Sequence, residues 1–268
     1  MRREAALPVA IKAARAGGRV LSDGLHRDPE ATLKDSRANV VTWADVRSQE
    51  AIVSVIRDAF PDHGIVGEEG TTGDADAEHV WFVDPLDGTS NYANGWPFFG
   101  VSVALRSAGQ TVCGVVYDPY HDELFAAAPG GGATRNGEPL SVSDVDQLDR
   151  ALVVVQAQSD DPAVIREFAQ LVELVMNVAR GVRFPGAPAL VLCAVAAGRL
   201  TAYCERYMDP WDIVAGGLIL EEAGGRLTRF DGQAVRSTEP ADVVATNGPI
   251  HDELLAALAA PDPNPAGR

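Results

Sequence analysis

The chain is short of positive charge, of cysteine and of aromatic residues, and it has no long apolar run. Only 22 Lys and Arg stand against 38 Asp and Glu, a formal net charge of −16 in 268 residues. An excess of that sign repels phosphate backbones and anionic lipid, so the expectation is no nucleic-acid partner and no membrane partner. An acidic chain still takes a small anionic ligand where bound cations reverse the local field. Cys113, Cys193 and Cys204 are odd in number, and no pair has metal-ligand spacing, so they read as reduced core thiols. No segment approaches the ~18 consecutive apolar residues that span a bilayer. The opening MRREAALPVAIKAARAGG lacks the apolar core of a secretory signal, and a cytoplasmic protein is expected.

What is present is a large core in prospect. Hydrophobic residues make up 46% of the chain, enough for one large domain or two intimate ones. Apolar spacing predicts helices over Leu7–Leu21 and Asp45–Phe60, with polar residues 22–41 as a surface loop between them. Ile65-Val66 reads as a short strand. From Val80 the pattern turns to β, with Gly100–Arg106, Thr111–Tyr117 and Glu123–Ala128 as an antiparallel meander. Residues 129–146 read as a connection. Beyond it strands and helices alternate: strands at Leu152–Gln156, Val182–Phe184, Leu200–Cys204, Arg226–Phe230 and Val243–Ala245, and helices at 162–180, Ala187–Ala197, Asp209–Ala223 and Pro249–Ala259. The expected division is an α+β unit over 1–146 and an α/β unit over 147–268, ending in a disordered PDPNPAGR tail.

The apolar strand Trp81-Phe82-Val83 runs into Asp84-Pro85-Leu86-Asp87-Gly88-Thr89. Pro85 fixes φ and stiffens the turn, so the Asp84 and Asp87 side chains can face one pocket with the Leu86 carbonyl between them. Closely spaced hard oxygens suit Mg²⁺ or Mn²⁺ rather than zinc. The amides of Gly88 and Thr89 follow, placed to receive a phosphate. Each signal has a plain alternative. Asp-Pro-x-Asp-Gly also makes surface turns, Glu68-Glu69 fits a solvated acidic turn, and Asp212 fits a helix N-terminus where its charge meets the dipole.

Taken together, Gly67-Glu68-Glu69, the run Trp81–Tyr92 and Trp211-Asp212-Ile213-Val214-Ala215-Gly216 resemble the signatures of the inositol monophosphatase family, relatives of the fructose-1,6-bisphosphatases. Val116–Pro119, Asp122–Phe125 and Asn136-Gly137 fit the same resemblance, which covers about residues 7–259. It implies an alternating αβαβα sandwich, a homodimer, and a Li⁺-sensitive phosphomonoesterase with two or three Mg²⁺ per site. By the same resemblance Glu68, Asp84 and the Leu86 carbonyl hold the first metal, with Thr89 nearby, while Asp84, Asp87 and Asp212 hold the second. Thr89, paired with Asp45, would orient and deprotonate the attacking water, with Glu68 at the same catalytic centre. Gly88 and Thr89 would hold the phosphate. Asp87, Gly186, Ala187, Glu205 and Asp212 would meet the substrate, and Lys34 would lie on a loop that closes over the site. Glu69 reads as solvated or as backing the ligands.

The segment Phe184–Leu192 departs from the family pattern. Ala187 lacks a hydroxyl, Pro188 lacks an N–H, and Val191 stands where relatives carry a polar residue. The substrate implied is a small sugar, cyclitol or amino-alcohol phosphate, not necessarily that of myo-inositol. Histidinol-phosphate phosphatase, fructose-1,6-bisphosphatase and nucleotide 3′-phosphatase are the enzymatic alternatives. A regulatory interaction protein on the same scaffold is the non-enzymatic one.

Overall fold

The computed structural model describes residues 5–34, 40–235 and 239–259. Helix α1 (Ala6–Gly24) leads through the short pair β1 (Thr32–Leu33) and β2 (Val40–Val41) to α2 (Trp43–Ala59). Then come β3 (Gly64–Gly67), β4 (Gly70–Thr72), β5 (His79–Asp87), the short helix α3 (Thr89–Ala93), β6 (Gly100–Ser107), β7 (Gln110–Asp118), β8 (Glu123–Ala127), β9 (Ala133–Arg135) and β10 (Glu138–Pro139). These eight strands form one sheet in the order β10-β9-β8-β7-β6-β5-β3-β4, antiparallel except for β3 beside β5. The second half supplies β11 (Leu152–Gln156), α4 (Pro162–Val178), β12 (Gly181–Arg183), α5 (Pro188–Ala196), β13 (Ala202–Met208), α6 (Pro210–Glu222), β14 (Arg226–Thr228), β15 (Ala241–Thr246) and α7 (His251–Ala259). Its sheet runs β12-β11-β13-β15-β14.

Helices α1 and α2 cover one face of the large sheet, α5 and α6 fill the space between the sheets, and α4 and α7 cover the far face of the small one. The result is the expected αβαβα sandwich. The central helices are apolar on every side, as a layer buried on both faces requires: α6 buries Ile213 to Leu220 without interruption. Gly114 of β7 permits that closeness, because a Cβ there would lie 2.8–2.9 Å from the backbone of Ala215. The central core mixes both halves, joining Phe82 and Val116 to Leu192 and Ile219. Among the described residues no helix is long and apolar enough to cross a membrane.

Several segments differ from the sequence reading. Glu68-Glu69 is a turn, but it is the tip of a β3–β4 hairpin in which Gly67 and Gly70 pair, and β4 was not expected. Residues 129–146 contain β9 and β10, which extend the meander; two- and three-residue edge strands carry too little alternation to be read. The loop 22–41 contains the β1–β2 pair, with 35–39 outside the described residues. The strand expected over 200–204 begins at Ala202 and continues to Met208, with an irregularity between Glu205 and Met208 where its charged residues broke the apolar pattern. The PDPNPAGR tail lies outside the described residues.

Candidate active site

Strand β5 is buried from Val80 to Asp87, and its pairing with β6 loses register between Asp84 and Asp87. The irregularity falls at Pro85-Leu86 inside the strand, where a turn was expected. Ser48 of α2 donates to the Pro85 carbonyl at 2.7 Å, and the Leu86 amide donates to Asp84 Oδ1 at 2.9 Å. Gly88 follows at φ +89°, and a Cβ there would sit 3.0 Å from both Ala187 Cβ and the Phe98 carbonyl, so glycine is required on two counts. Asp87 also reaches a helix of the second half. Its Oδ2 accepts from the Leu190 amide at 3.1 Å, at the positive end of α5.

Asp212 arrives from the other half of the chain, in the first turn of α6, with Oδ2 3.3 Å from the Asp209 amide. One bond explains its placement. Ser102 is the residue opposite Asp84 on β6, and its hydroxyl donates to the Trp211 carbonyl at 2.8 Å. The residue before Asp212 is thereby tied to the strand partner of Asp84. One carboxylate oxygen from each of Asp84, Asp87 and Asp212 lies within 4.8 Å of the others.

Asp84 and Asp87 are almost wholly buried, while Asp212 keeps part of its surface in the cleft. Burial pushes all three carboxyls up and repulsion from Glu68 adds to it at each: Asp87 to about 8, and Asp84 and Asp212, which Asp87 also repels, well above the carboxylate range. Among the described residues no Lys or Arg pairs with any of the three. Three enclosed oxygens with no counter-charge fit a hard divalent cation, Mg²⁺ or Mn²⁺. Glu68 lines the same cleft but stands outside this tight trio. Lys34 Nζ lies 3.0 Å from Glu68 Oε1 and also contacts Glu69, supplying the positive charge those carboxylates need.

Asp45 is fully buried at the third position of α2. Its Oδ2 accepts from the amide of Thr42 at 2.7 Å and from its hydroxyl at 2.6 Å; its Oδ1 lies 2.9 Å from Thr89 Oγ1. Thr89 Oγ1 is also 3.0 Å from the Leu86 carbonyl, so its single proton has two acceptors to choose between. Burial raises the Asp45 carboxyl, and the bonds from Thr42 and Thr89 pull it back.

On the opposite wall, Glu205 of β13 accepts from the Tyr203 hydroxyl. Gln156 Nε2 donates to that hydroxyl at 3.0 Å, and Gln156 Oε1 accepts from the Gly186 amide at 3.1 Å. Burial raises Glu205 to about 7 against the pull of these bonds. Asn91 donates to the carbonyls of Phe98, at 2.7 Å, and Pro185, at 2.9 Å, binding the loop before α5 to the first half. Ala187 caps α5 at φ +51°, a left-handed alanine ahead of a proline, with no side-chain oxygen to offer. Gly186, Ala187 and Pro188 line the cleft. Val191 does not. It is fully buried in the central core, which corrects the reading that placed it toward substrate: α5 lies inside the core from Ala189 to Cys193, and only Ala187 and Pro188 at its start reach the cleft. Gln156, Tyr203 and Asn91 were not singled out as candidates from the sequence, although Tyr203 and Glu205 share a strand face by their period-2 spacing.

The site opens into a cleft of about 840 Å³ that runs outward past Phe168, Phe184, Tyr207 and Trp211. Residues 2–262 match the model of the inositol monophosphatase family. A fructose-1,6-bisphosphatase/inositol-1-monophosphatase from Aquifex aeolicus is 39% identical over 93% of both chains. The Nus factor SuhB of Pasteurella multocida is 42% identical over 84% of this chain and 85% of its own. The structure of an inositol monophosphatase from Anabaena (Nostoc) sp. superposes with a TM-score of 0.84 at 40% identity, covering 96% of each chain. The chain belongs to the inositol monophosphatase family, and it is a phosphomonoesterase of that family.

Proposed function

We propose that the protein hydrolyses the phosphate monoester of a small sugar, cyclitol or amino alcohol with the help of Mg²⁺. The observation that carries this reading is the convergence of Asp84, Asp87 and Asp212, from opposite halves of the chain, on one point of the cleft. Asp84, Asp87 and Asp212, with Glu68 and the Leu86 carbonyl, would hold the divalent ions. Such ions neutralise a phosphoryl group and lower the pKa of water near it. The chain's own residues do the rest. The Gly88 and Thr89 amides face the phosphate. Thr89 accepts the proton of the attacking water as it passes its own to Asp45 Oδ1, 2.9 Å away. Burial makes Asp45 a better base than an exposed aspartate. Glu205 and Asp87 take the alcohol's hydroxyls, and Gly186, Ala187 and Asp212 border it. Residues 1–146 supply most of the cation ligands and 147–268 supply Asp212 and the alcohol side, and the working unit is a cytoplasmic homodimer.

The test is phosphate release from a panel of monoesters, with Mg²⁺, with added Li⁺ and with excess chelator. Activity should require Mg²⁺, fall with millimolar-range Li⁺, and nearly vanish in Asp84→Asn. Full turnover in chelator would refute the reading. The identity to a protein called a Nus factor gives a second reading, a partner-binding role on this scaffold. Asp84→Asn separates the two, since it should remove phosphate release and leave a partner surface intact.

A further inference from the structure

The outer part of the cleft sets an aromatic wall beside the polar residues Gln158, Ser159, Asp160 and Arg206. Its wall carries Phe184, 52% exposed, and Tyr207, 55% exposed, beside the partly buried Phe168 and the buried Met208. Phe168 meets Phe184 edge to face, with ring centroids 5.8 Å apart and planes at 73°. Large apolar groups half open to water inside a concavity mark surface that a ligand covers.

The wall is also held in place. Phe184 stands on the loop whose next two residues are fastened from both sides, Pro185 through its carbonyl to Asn91 and Gly186 through its amide to Gln156. Tyr207 sits at φ +63°, costly backbone for a tyrosine, where β13 loses register with β15. Asp242 holds it there by accepting from its amide at 3.1 Å, and the same carboxylate group fixes Arg206 at 2.8 Å. The strained residue is thus held by its backbone and by its hydroxyl, which donates to Glu167 at 3.4 Å, and it lines the cleft. Beside Gly88 the lining turns to Ala187 and Pro188, which supply neither hydroxyl nor, at Pro188, an amide.

We infer that Phe184, Phe168 and Tyr207 form a subsite for the leaving alcohol, and that among the small alcohols proposed above it favours those carrying a planar aromatic ring over those with hydroxyls alone. This rests on the phosphatase reading above. The ring lies in the aromatic wall by edge-to-face or offset stacking, while the phosphate sits at the carboxylates, and a polyol in the same place has its hydroxyls desolvated against carbon.

The experiment compares kcat/KM for 2-phenylethyl phosphate and for glycerol 3-phosphate with saturating Mg²⁺. Both are esters of primary alkanols, so leaving-group reactivity does not decide the ratio. The wild type should prefer the aromatic ester by roughly 10- to 100-fold, the range that burying and stacking one ring provides. Phe184→Ala should collapse that ratio mainly through KM, Phe184→Trp should restore it, and Tyr207→Ala should lower it in part. A ratio near one in the wild type, or one unmoved by Phe184→Ala, overturns the inference and leaves the phosphatase reading standing. So does a Phe184→Ala variant whose only change is its sedimentation as monomer or dimer, since the rings would then serve a subunit contact. Failure of both esters, and of every other monoester, to release phosphate overturns the phosphatase reading and this inference with it.

Discussion

Removing the divalent cation should make the protein's stability fall as pH rises, the reverse of the usual behaviour of native carboxylates. In the ion-free fold Asp87 keeps its proton up to about 8, whereas an unfolded aspartate releases it near ~4. Between those values the native chain binds a proton that the unfolded chain has lost, so stability declines with pH by about 1.4 kcal/mol per unit and per group. From about pH 6 to about pH 8 Asp87 alone removes roughly 2–3 kcal/mol. Asp84 and Asp212 are shifted in the same direction, and Glu205, held at about 7, adds to the lower part of the window. A bound cation favours the ionised carboxylates and cancels the slope. Thermal unfolding with chelator and with Mg²⁺, run across this window, should show a gap that widens by roughly 5–10 °C between its ends for a chain of this size. Asp87→Asn keeps an acceptor for the Leu190 amide and should flatten the chelator curve. A chelated protein as stable at about pH 8 as at about pH 6 would refute the argument, because ionising enclosed, unpaired carboxylates must cost stability.

Asp212→Asn should raise the Mg²⁺ concentration needed for half-maximal turnover; a titration matching wild type would place the cation elsewhere. Thr89→Val should cost orders of magnitude in kcat but only about 1–2 kcal/mol in urea unfolding, one buried hydroxyl bond's worth. Asp45→Ala removes the acceptor for Thr42 as well as for Thr89, so it should lose a comparable amount of activity and about 2–4 kcal/mol of stability; equal stability losses in the two variants would contradict the placement of Asp45. Across inositol, glycerol, hexose and histidinol phosphates, inositol 1-phosphate should not lead by kcat/KM, and Ala187→Ser should improve it relative to the others. Inositol 1-phosphate leading by about tenfold or more would show that the missing hydroxyl and amide at 187 and 188 do not steer specificity.

What the sequence determined by itself was everything set by neighbours along the chain. The run from Trp81 to Thr89 announces a buried strand breaking into a stiff acidic turn, because strand alternation and proline geometry act over a few residues. The helix beginning near Asp45, the antiparallel meander and the helix that opens beside Asp212 are local in the same sense. Tertiary structure decided what those segments meet. Asp212 reaches Asp84 because Gly114 lets α6 lie against β7 and Ser102 ties Trp211 to β6, contacts about a hundred residues apart that no periodicity encodes. The burial of Val191 in the core was equally illegible. Helix α5 is apolar all round, since it lies between two sheets, and a helix without a polar face gives no sign of which residue faces the cleft. The pairing of Lys34 with Glu68, the Gln156–Tyr203–Glu205 chain across β11 and β13, and the contact of Phe168 with Phe184 exist only once the chain is folded. Gln156, Tyr203 and Phe168 are unremarkable in sequence because burial and partner, rather than residue type, give them their chemistry.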